Sequence, residues 1–262
     1  MFCNFDEFSA YINAKYTPHS IIQLTSYFKK HLNEREFQNP LALYIYIKSK
    51  TAGKTPITKT ARAYLNFCEQ NELLPKYIID KYRQVLKVER GTPDFHVPSD
   101  KEVIENYLKV KHNPNLELVY LVLATSGIRY IECLDFLKSY NPDKFVVNSD
   151  FVSYSVSELR HFKNINNIYL PLFVYEKLQK INNTYHALRQ RFKDKDCTFS
   201  LKYLRKWNYN FLLYNQVPES VADFIQGRAN SSVSSNHYLA KSQQAVFWYA
   251  KILPLLKKLF LE

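Results

Sequence analysis

The stretch from Leu201 to Ala240, LKYLRKWNYNFLLYNQVPESVADFIQGRANSSVSSNHYLA, carries four cations and one late tyrosine. Lys202 and Arg205 stand three apart, a spacing that puts both on one face of a helix. After Pro218, SVADFIQ reads as a second short helix, stopped by Gly227 where a helix commonly ends in a left-handed residue, and Arg228 follows at once. The run from Ala229 to Asn236 is small and polar and leads to His237 and Tyr238. Guanidinium groups fork onto phosphate oxygens, and a phenol becomes a nucleophile where neighbouring cations favour its ionised form. Taken singly, each group is ordinary: the chain has 21 tyrosines, most of which are expected to pack with a wet hydroxyl.

Composition narrows the chemistry. The formal net charge of +12 favours a polyanionic partner, and 46% apolar content is enough for real cores. The cysteines at 3, 68, 133 and 197 show no short pairing, and the histidines have no metal-ligand spacing with acids or cysteines. Neither a zinc site nor a carboxylate-held two-metal centre is expected, and with only 4 glycines no phosphate-cradling loop is present. No cofactor is expected. No stretch reaches the roughly 18 apolar residues of a membrane span, and MFCNFDEF has neither the basic start nor the apolar run of a signal peptide. The expectation is a cytoplasmic protein without a membrane segment.

The elements that must position these groups fall into two parts. Through the first ninety or so residues the apolar period is helical. Phe8, Tyr11 and Ile12 mark one face and Ile21, Leu24, Phe28 and Leu32 a second. Leu41, Tyr44 and Ile45 follow Pro40; Ile57, Ala61, Tyr64, Leu65 and Cys68 mark a fourth face, and Ile78, Ile79, Tyr82, Val85 and Leu86 a fifth. Lys29, Lys30, Lys54, Lys59 and Arg62 lie between these faces, either lining a phosphate backbone or serving solubility. Gly91, Pro93 and Pro98 break the pattern, so the boundaries drawn are 1–90, a linker at 91–98, and 99–262.

Ser99-Asp100-Lys101-Glu102 has the capping-box order that opens a helix, here expected to bury Val103, Ile104, Tyr107 and Leu108. The next helix, from about Leu116 to Thr125, is apolar nearly all round and reads as central. It ends at Ser126-Gly127, with Arg129 just beyond and Glu132, Leu134 and Leu137 on the following helix. An arginine there is either a surface cation at a helix junction or a guanidinium held rigid by core on both sides. From Lys144 to Leu170 the period shifts to three short antiparallel strands, with turns at Asn148-Ser149-Asp150 and around Lys163 to Asn167. A helix carrying Val174, Leu178, Ile181 and Tyr185 is expected after Pro171. The tail QAVFWYAKILPLLKKLFLE presents Phe247, Trp248, Ile252, Leu255, Leu256 and Leu259, with Pro254 bending or interrupting it; it either closes its own core or docks on a neighbouring protomer.

In this order the features resemble the catalytic domain of the tyrosine recombinase (phage integrase) family, in particular its archaeal virus and plasmid branch. Ala124-Thr125-Ser126-Gly127-Ile128-Arg129 with Glu132 is similar to the family's first box. Phe162-Lys163 through Ile168-Tyr169-Leu170-Pro171-Leu172 is similar to its β-hairpin lysine segment. Lys202-Tyr203-Leu204-Arg205 stands where the family usually has His-x-x-Arg, Gln226-Gly227-Arg228 where it usually has Leu-Gly-His, and Tyr238 at the distance of the nucleophile. The likeness covers residues 99 to 240. It implies a mainly α fold with a small antiparallel β-sheet, in two domains: a helical core-binding domain and a catalytic domain of tyrosine-recombinase type.

The resemblance also implies a site-specific recombinase, the integrase of a virus or plasmid, acting on double-stranded DNA attachment sites as a homotetramer and free as monomer or dimer. Tyr238 would form the phosphotyrosine that conserves the broken bond. Arg129, Arg205 and Arg228 would stabilise the charge of the transition state. Lys163 would protonate the departing 5′ oxygen. Lys202 stands as a source of charge, since an ammonium cannot serve as general base; Glu132 is expected to orient an arginine, and His237 is adjacent to the nucleophile. A host Xer-like resolvase would use the same chemistry. A non-catalytic DNA-binding regulator would have no use for Tyr238 at a fixed place.

Overall fold

The computed structural model describes residues 1–88, 94–156, 165–228 and 241–262, so Lys163, His237 and Tyr238 lie outside the described residues. The chain divides into two compact units, Met1–Asp94 and Phe95–Glu262.

The first unit is built from α1 (Phe5–Lys15), α2 (Pro18–His31), α3 (Pro40–Lys48), α4 (Lys54–Gln70) and α5 (Lys76–Val85). Short polar side chains start two of them: Asn4 accepts from the Asp6 N–H and Asn39 from that of Ala42, satisfying donors that a first turn leaves free. Phe8, Phe28, Tyr64 and Phe67 form the centre, with Phe8 and Phe28 4.8 Å apart between ring centroids. The Tyr82 hydroxyl ties α5 to the chain before α3 by donating to the Phe37 carbonyl at 2.7 Å.

One face differs from the sequence expectation. On α3, Leu41, Tyr44 and Ile45 are exposed, while Leu43 and Ile47 enter the core. PLALYIYIK is apolar nearly all round, so its period does not select a face; packing against α4 and α5 does.

In the second unit α6 (Asp100–Val110) opens on the expected capping box: Ser99 Oγ accepts from the Glu102 N–H and the Glu102 carboxylate accepts from the Ser99 N–H. α6 buries Val103, Asn106, Tyr107 and Val110, whereas Leu108 is exposed, contrary to expectation. The central helix is α7 (Pro114–Ser126), buried at every position from Leu118 to Ser126. α8 (Tyr130–Ser139) and a single 3-10 turn lead into β1 (Phe145–Asn148), β2 (Phe151–Ser155) and β3 (Asn167–Pro171). These make an antiparallel sheet in the order β1-β2-β3, with Phe145 opposite Tyr154 and Tyr154 opposite Ile168.

After Pro171 the single expected helix is instead one turn, α9 (Leu172–Tyr175), an irregular connection, and α10 (Tyr185–Lys193). The connection is held by other elements: the Ile181 N–H donates to the Leu137 carbonyl, and Thr184 caps α10 by accepting from Ala187. α11 (Lys202–Tyr214), α12 (Glu219–Gln226) and α13 (Lys241–Leu261) complete the unit.

α13 closes its own core through Ala245, Tyr249, Ile252, Leu253, Leu256 and Phe260, while Phe247 and Leu255 are exposed. It also runs unbroken through Pro254, which lies on its exposed side, where water can satisfy the carbonyl deprived of a donor. Among the described residues no helix is long and apolar enough to cross a membrane.

Candidate active site

Two left-handed glycines bring three arginines together. Gly127 (φ 66°) ends α7 and turns the chain so that Arg129 heads α8. Gly227 (φ 62°) ends α12, with the Arg228 N–H donating back to the Asp223 carbonyl, and turns Arg228 out of the helix. Arg205, on α11, spans the two turns: its Nη1 donates at 2.8 Å to both the Gly127 and the Gln226 carbonyls. Arg129 Nη2 makes a long contact, 3.5 Å, to the Gly227 carbonyl.

Each guanidinium is held by a different kind of acceptor. Arg129 is held by the buried Glu132, whose Oε1 accepts from Nη1 at 2.6 Å and whose Oε2 accepts from the Arg129 backbone N–H at 2.9 Å. Arg205 is held by backbone carbonyls. Arg228 donates through Nε to Gln226 Oε1 at 3.1 Å and lies 3.7 Å over the Tyr209 ring. Burial first, then the charges of Arg129 and Arg228, pull the Arg205 guanidinium down to about 10. Tyr209 is pushed up to about 12, by burial and then by the hydrogen bond it donates to Asp223. A guanidinium depressed by two neighbouring ones makes a site that an anion relieves.

Beneath the arginines lies a buried polar layer that sequence reading missed. Asn208 and Gln226 are fully buried; Asn208 Nδ2 donates to the Ala124 carbonyl at 2.8 Å, and Gln226 Nε2 donates to Asn208 Oδ1 at 2.7 Å. The available signal was Asn208 itself, a polar residue within the apolar stripe Leu204, Trp207, Phe211 and Leu212 of α11. Tyr249 of α13 lies under the same region, sharing its hydroxyl between the Thr125 and Tyr169 carbonyls, each at 3.2 Å.

The remaining predicted residues sit as follows. Lys202 is exposed, with its Nζ 4.7 Å over the Tyr203 ring, and lines a cavity of about 220 Å³ with Tyr130, Tyr185, Arg189 and Ser200. Lys163 is outside the described residues, but Ile165, two positions on, is buried against Gly227: a Cβ on that glycine would meet Ile165 Cγ1 at 2.0 Å. His237 and Tyr238 are likewise outside. Among the described residues no three His, Cys, Asp or Glu side chains are grouped to hold a metal ion.

In the first unit, Lys59 and Arg62 share one side of α4 and line a cavity of about 350 Å³ with Ser20, Gln23 and Tyr27 of α2. Lys29 and Lys30 belong to the last turn of α2, and Lys54 begins α4.

Residues 95–255 match the model of a family described as archaeal phage integrase, which takes in the arginine cluster and most of the second unit. The chain belongs to the archaeal phage integrase family. It is a site-specific tyrosine recombinase. Comparison with curated proteins by sequence finds no match. Among solved structures, a lambda integrase tetramer bound to a Holliday junction aligns with TM-score 0.62 and 12% identity over 87% of this chain and 77% of that one. A lambda integrase(75-356) dimer bound to a COC′ core site gives TM-score 0.60 and 13% identity over 92% and 93%. XerH recombinase bound to its difH substrate gives 0.50 and 11% over 87% and 73%. At such identities the likeness establishes the integrase fold.

Proposed function

We propose that this integrase cuts and rejoins duplex DNA at the attachment sites of a virus or plasmid, with Tyr238 as nucleophile and Arg129, Arg205 and Arg228 as the cations on the scissile phosphate. The observation that carries this reading is the convergence of the three guanidiniums through the Gly127, Gln226 and Gly227 carbonyls. Attack by the phenol oxygen, its proton leaving to solvent as the surrounding cations favour the phenolate, forms a phosphotyrosine and breaks the bond to the 5′ oxygen, which takes its proton from Lys163. Attack by the 5′ hydroxyl of another strand reverses the step and releases Tyr238. The two non-bridging oxygens gain charge in between, and each preorganised guanidinium contributes about 10²- to 10³-fold. Lys202 adds positive charge, Glu132 fixes Arg129, and His237 adjoins the nucleophile.

Lys29, Lys30, Lys54, Lys59 and Arg62 are assigned to the DNA backbone. The protein assembles on DNA as a homotetramer, is monomeric or dimeric when free, and works in the cytoplasm of the host cell. The structural relatives that hold a Holliday junction or a core site support this assembly.

The test is covalent capture. The protein and its Tyr238→Phe variant are incubated with a pool of nicked duplexes and denatured in detergent, and the attached DNA is sequenced. Adducts that vanish in the variant are expected and define the cleavage site. Strong binding without adducts would instead indicate a DNA-binding regulator on this scaffold.

A further inference from the structure

The polar layer under the arginines has a single self-consistent direction. Asn208 Nδ2 faces the carbonyls at the end of α7, 2.8 Å from Ala124 O, so the Asn208 carbonyl oxygen faces the other way. That oxygen requires a donor, and Gln226 Nε2 supplies it at 2.7 Å while also reaching the Arg205 carbonyl at 3.1 Å. With its amide nitrogen so committed, Gln226 must present Oε1 to the outside, where it accepts from Arg228 Nε at 3.1 Å. Flipping either amide would set N–H against N–H, so the orientation is fixed by the network. Both side chains are fully buried, where an unpaired amide is costly, and this makes the chain of amides rigid.

From this geometry we infer that Gln226 and Asn208 are positioning residues for Arg228: a relay of neutral amides runs from the end of α7 to one guanidinium and aims it without cancelling its charge. The contrast with Arg129 gives the reason. Arg129 is held by a carboxylate that offsets its charge, whereas Arg228 is held at Nε by a neutral oxygen and on its face by Tyr209, which leaves both Nη groups for phosphate oxygens. A shorter or apolar residue at 226 would free the Nε–H and let the guanidinium swing. A displacement of about 1 Å in a group that acts on the reacting atoms costs on the order of 10²-fold.

The inference rests on the reading of Arg228 as a phosphate-binding cation, and a double-mutant cycle separates the two. Single-turnover adduct formation on the nicked duplex defined by covalent capture is measured for the native protein, Gln226→Met, Arg228→Ala and the double variant, alongside DNA affinity and thermal unfolding. Gln226→Met is expected to slow adduct formation by roughly 10²-fold, with DNA affinity within about threefold of native. In the Arg228→Ala background the same change is expected to cost less than about threefold, because its route of action is gone.

If Arg228→Ala itself leaves the rate unchanged, the reading of Arg228 fails. If Arg228→Ala is slow and Gln226→Met is not, or if the two losses multiply, the relay fails. Should Gln226→Met not fold, Asn208→Ser, which breaks the link to Gln226 while keeping a small polar side chain, carries the same cycle.

Discussion

Glu132 grips Arg129 at both ends: one carboxylate oxygen takes the guanidinium at 2.6 Å and the other takes the backbone N–H of the same residue at 2.9 Å. Glu132 is 2% exposed, so a buried charge depends on this pair, and the first turn of α8 depends on it too. Glu132→Gln keeps an oxygen for one of the two bonds and sets an N–H against the other. The expected outcome is a loss of roughly 2–3 kcal/mol in urea unfolding, together with slower strand cleavage. Full stability in Glu132→Gln would show that the pair contributes nothing beyond geometry.

Arg205 leads to a prediction at alkaline pH. In the unfolded chain a guanidinium keeps its ordinary value, about 12.5 or above; in the fold, burial and then the neighbouring arginines bring Arg205 to about 10. Between these values the unfolded chain binds more protons, so the charged Arg205 costs stability at neutral pH, and that cost is relieved as pH rises through about 10. An anion seated on the cluster offsets the same repulsion while Arg205 is charged. Sulfate, compared with chloride at equal ionic strength, is therefore expected to raise Tm by about 2–4 °C at pH 7.5. The effect should shrink near pH 10.5 and in Arg228→Ala. An equal sulfate effect at both pH values would remove Arg205 from the anion site.

Much of this architecture was legible where local chemistry decides it. Ser99 and Glu102 spell a capping box, Gly127 and Gly227 mark left-handed helix ends, and the change of period at Lys144 announces the sheet. The sequence misled where several faces were equally apolar, as on α3 and α13, or where tertiary bonds overrode a helical period. Val174, Leu178, Ile181 and Tyr185 repeat like a helix, yet the Ile181 N–H belongs to Leu137 and the segment is not helical. At the site, Arg129 and Arg228 announced themselves by charge and by the glycines before them, and Arg205 by its spacing of three from Lys202 on one helix face. Asn208 and Gln226 did not, because their meaning comes from each other, and only the packing of α11 on α12 makes them neighbours.

Gly127 is required twice over. Its φ of 66° disfavours any side chain, and a Cβ there would meet Asn208 Oδ1 at 2.2 Å and Gln226 Nε2 at 2.5 Å, two buried groups with no room to retreat. Gly127→Ala is expected to cost about 2–4 kcal/mol. Gly53→Ala is the control: its φ is also positive, at 77°, but the nearest atom is a Tyr27 ring carbon at 3.2 Å, so only about 1 kcal/mol is expected. Thermal or urea unfolding of both variants measures the difference, and equal losses would mean that the amide layer yields easily.

The basic side chains of the first unit are predicted to act through salt-dependent contacts. Lys59 and Arg62 share one side of α4 and face the same cavity as Ser20 and Gln23, whereas Lys29 and Lys30 sit at the end of α2. A cation that neutralises a DNA phosphate releases a counterion, and its removal lowers the slope of log K against log salt by about 0.9. Lys59→Ala with Arg62→Ala should therefore lower the slope by nearly 2 and weaken binding to all sequences alike, with little change in the rate of strand cleavage once DNA is saturating. The first check is thermal unfolding, because Arg62 Nη1 also donates to the Leu86 carbonyl at 3.1 Å and part of its loss will be structural. Lys59→Ala alone lacks that complication, so a slope lowered by about 1 in this single variant is the cleaner signature, and an unchanged slope would take α4 off the DNA backbone.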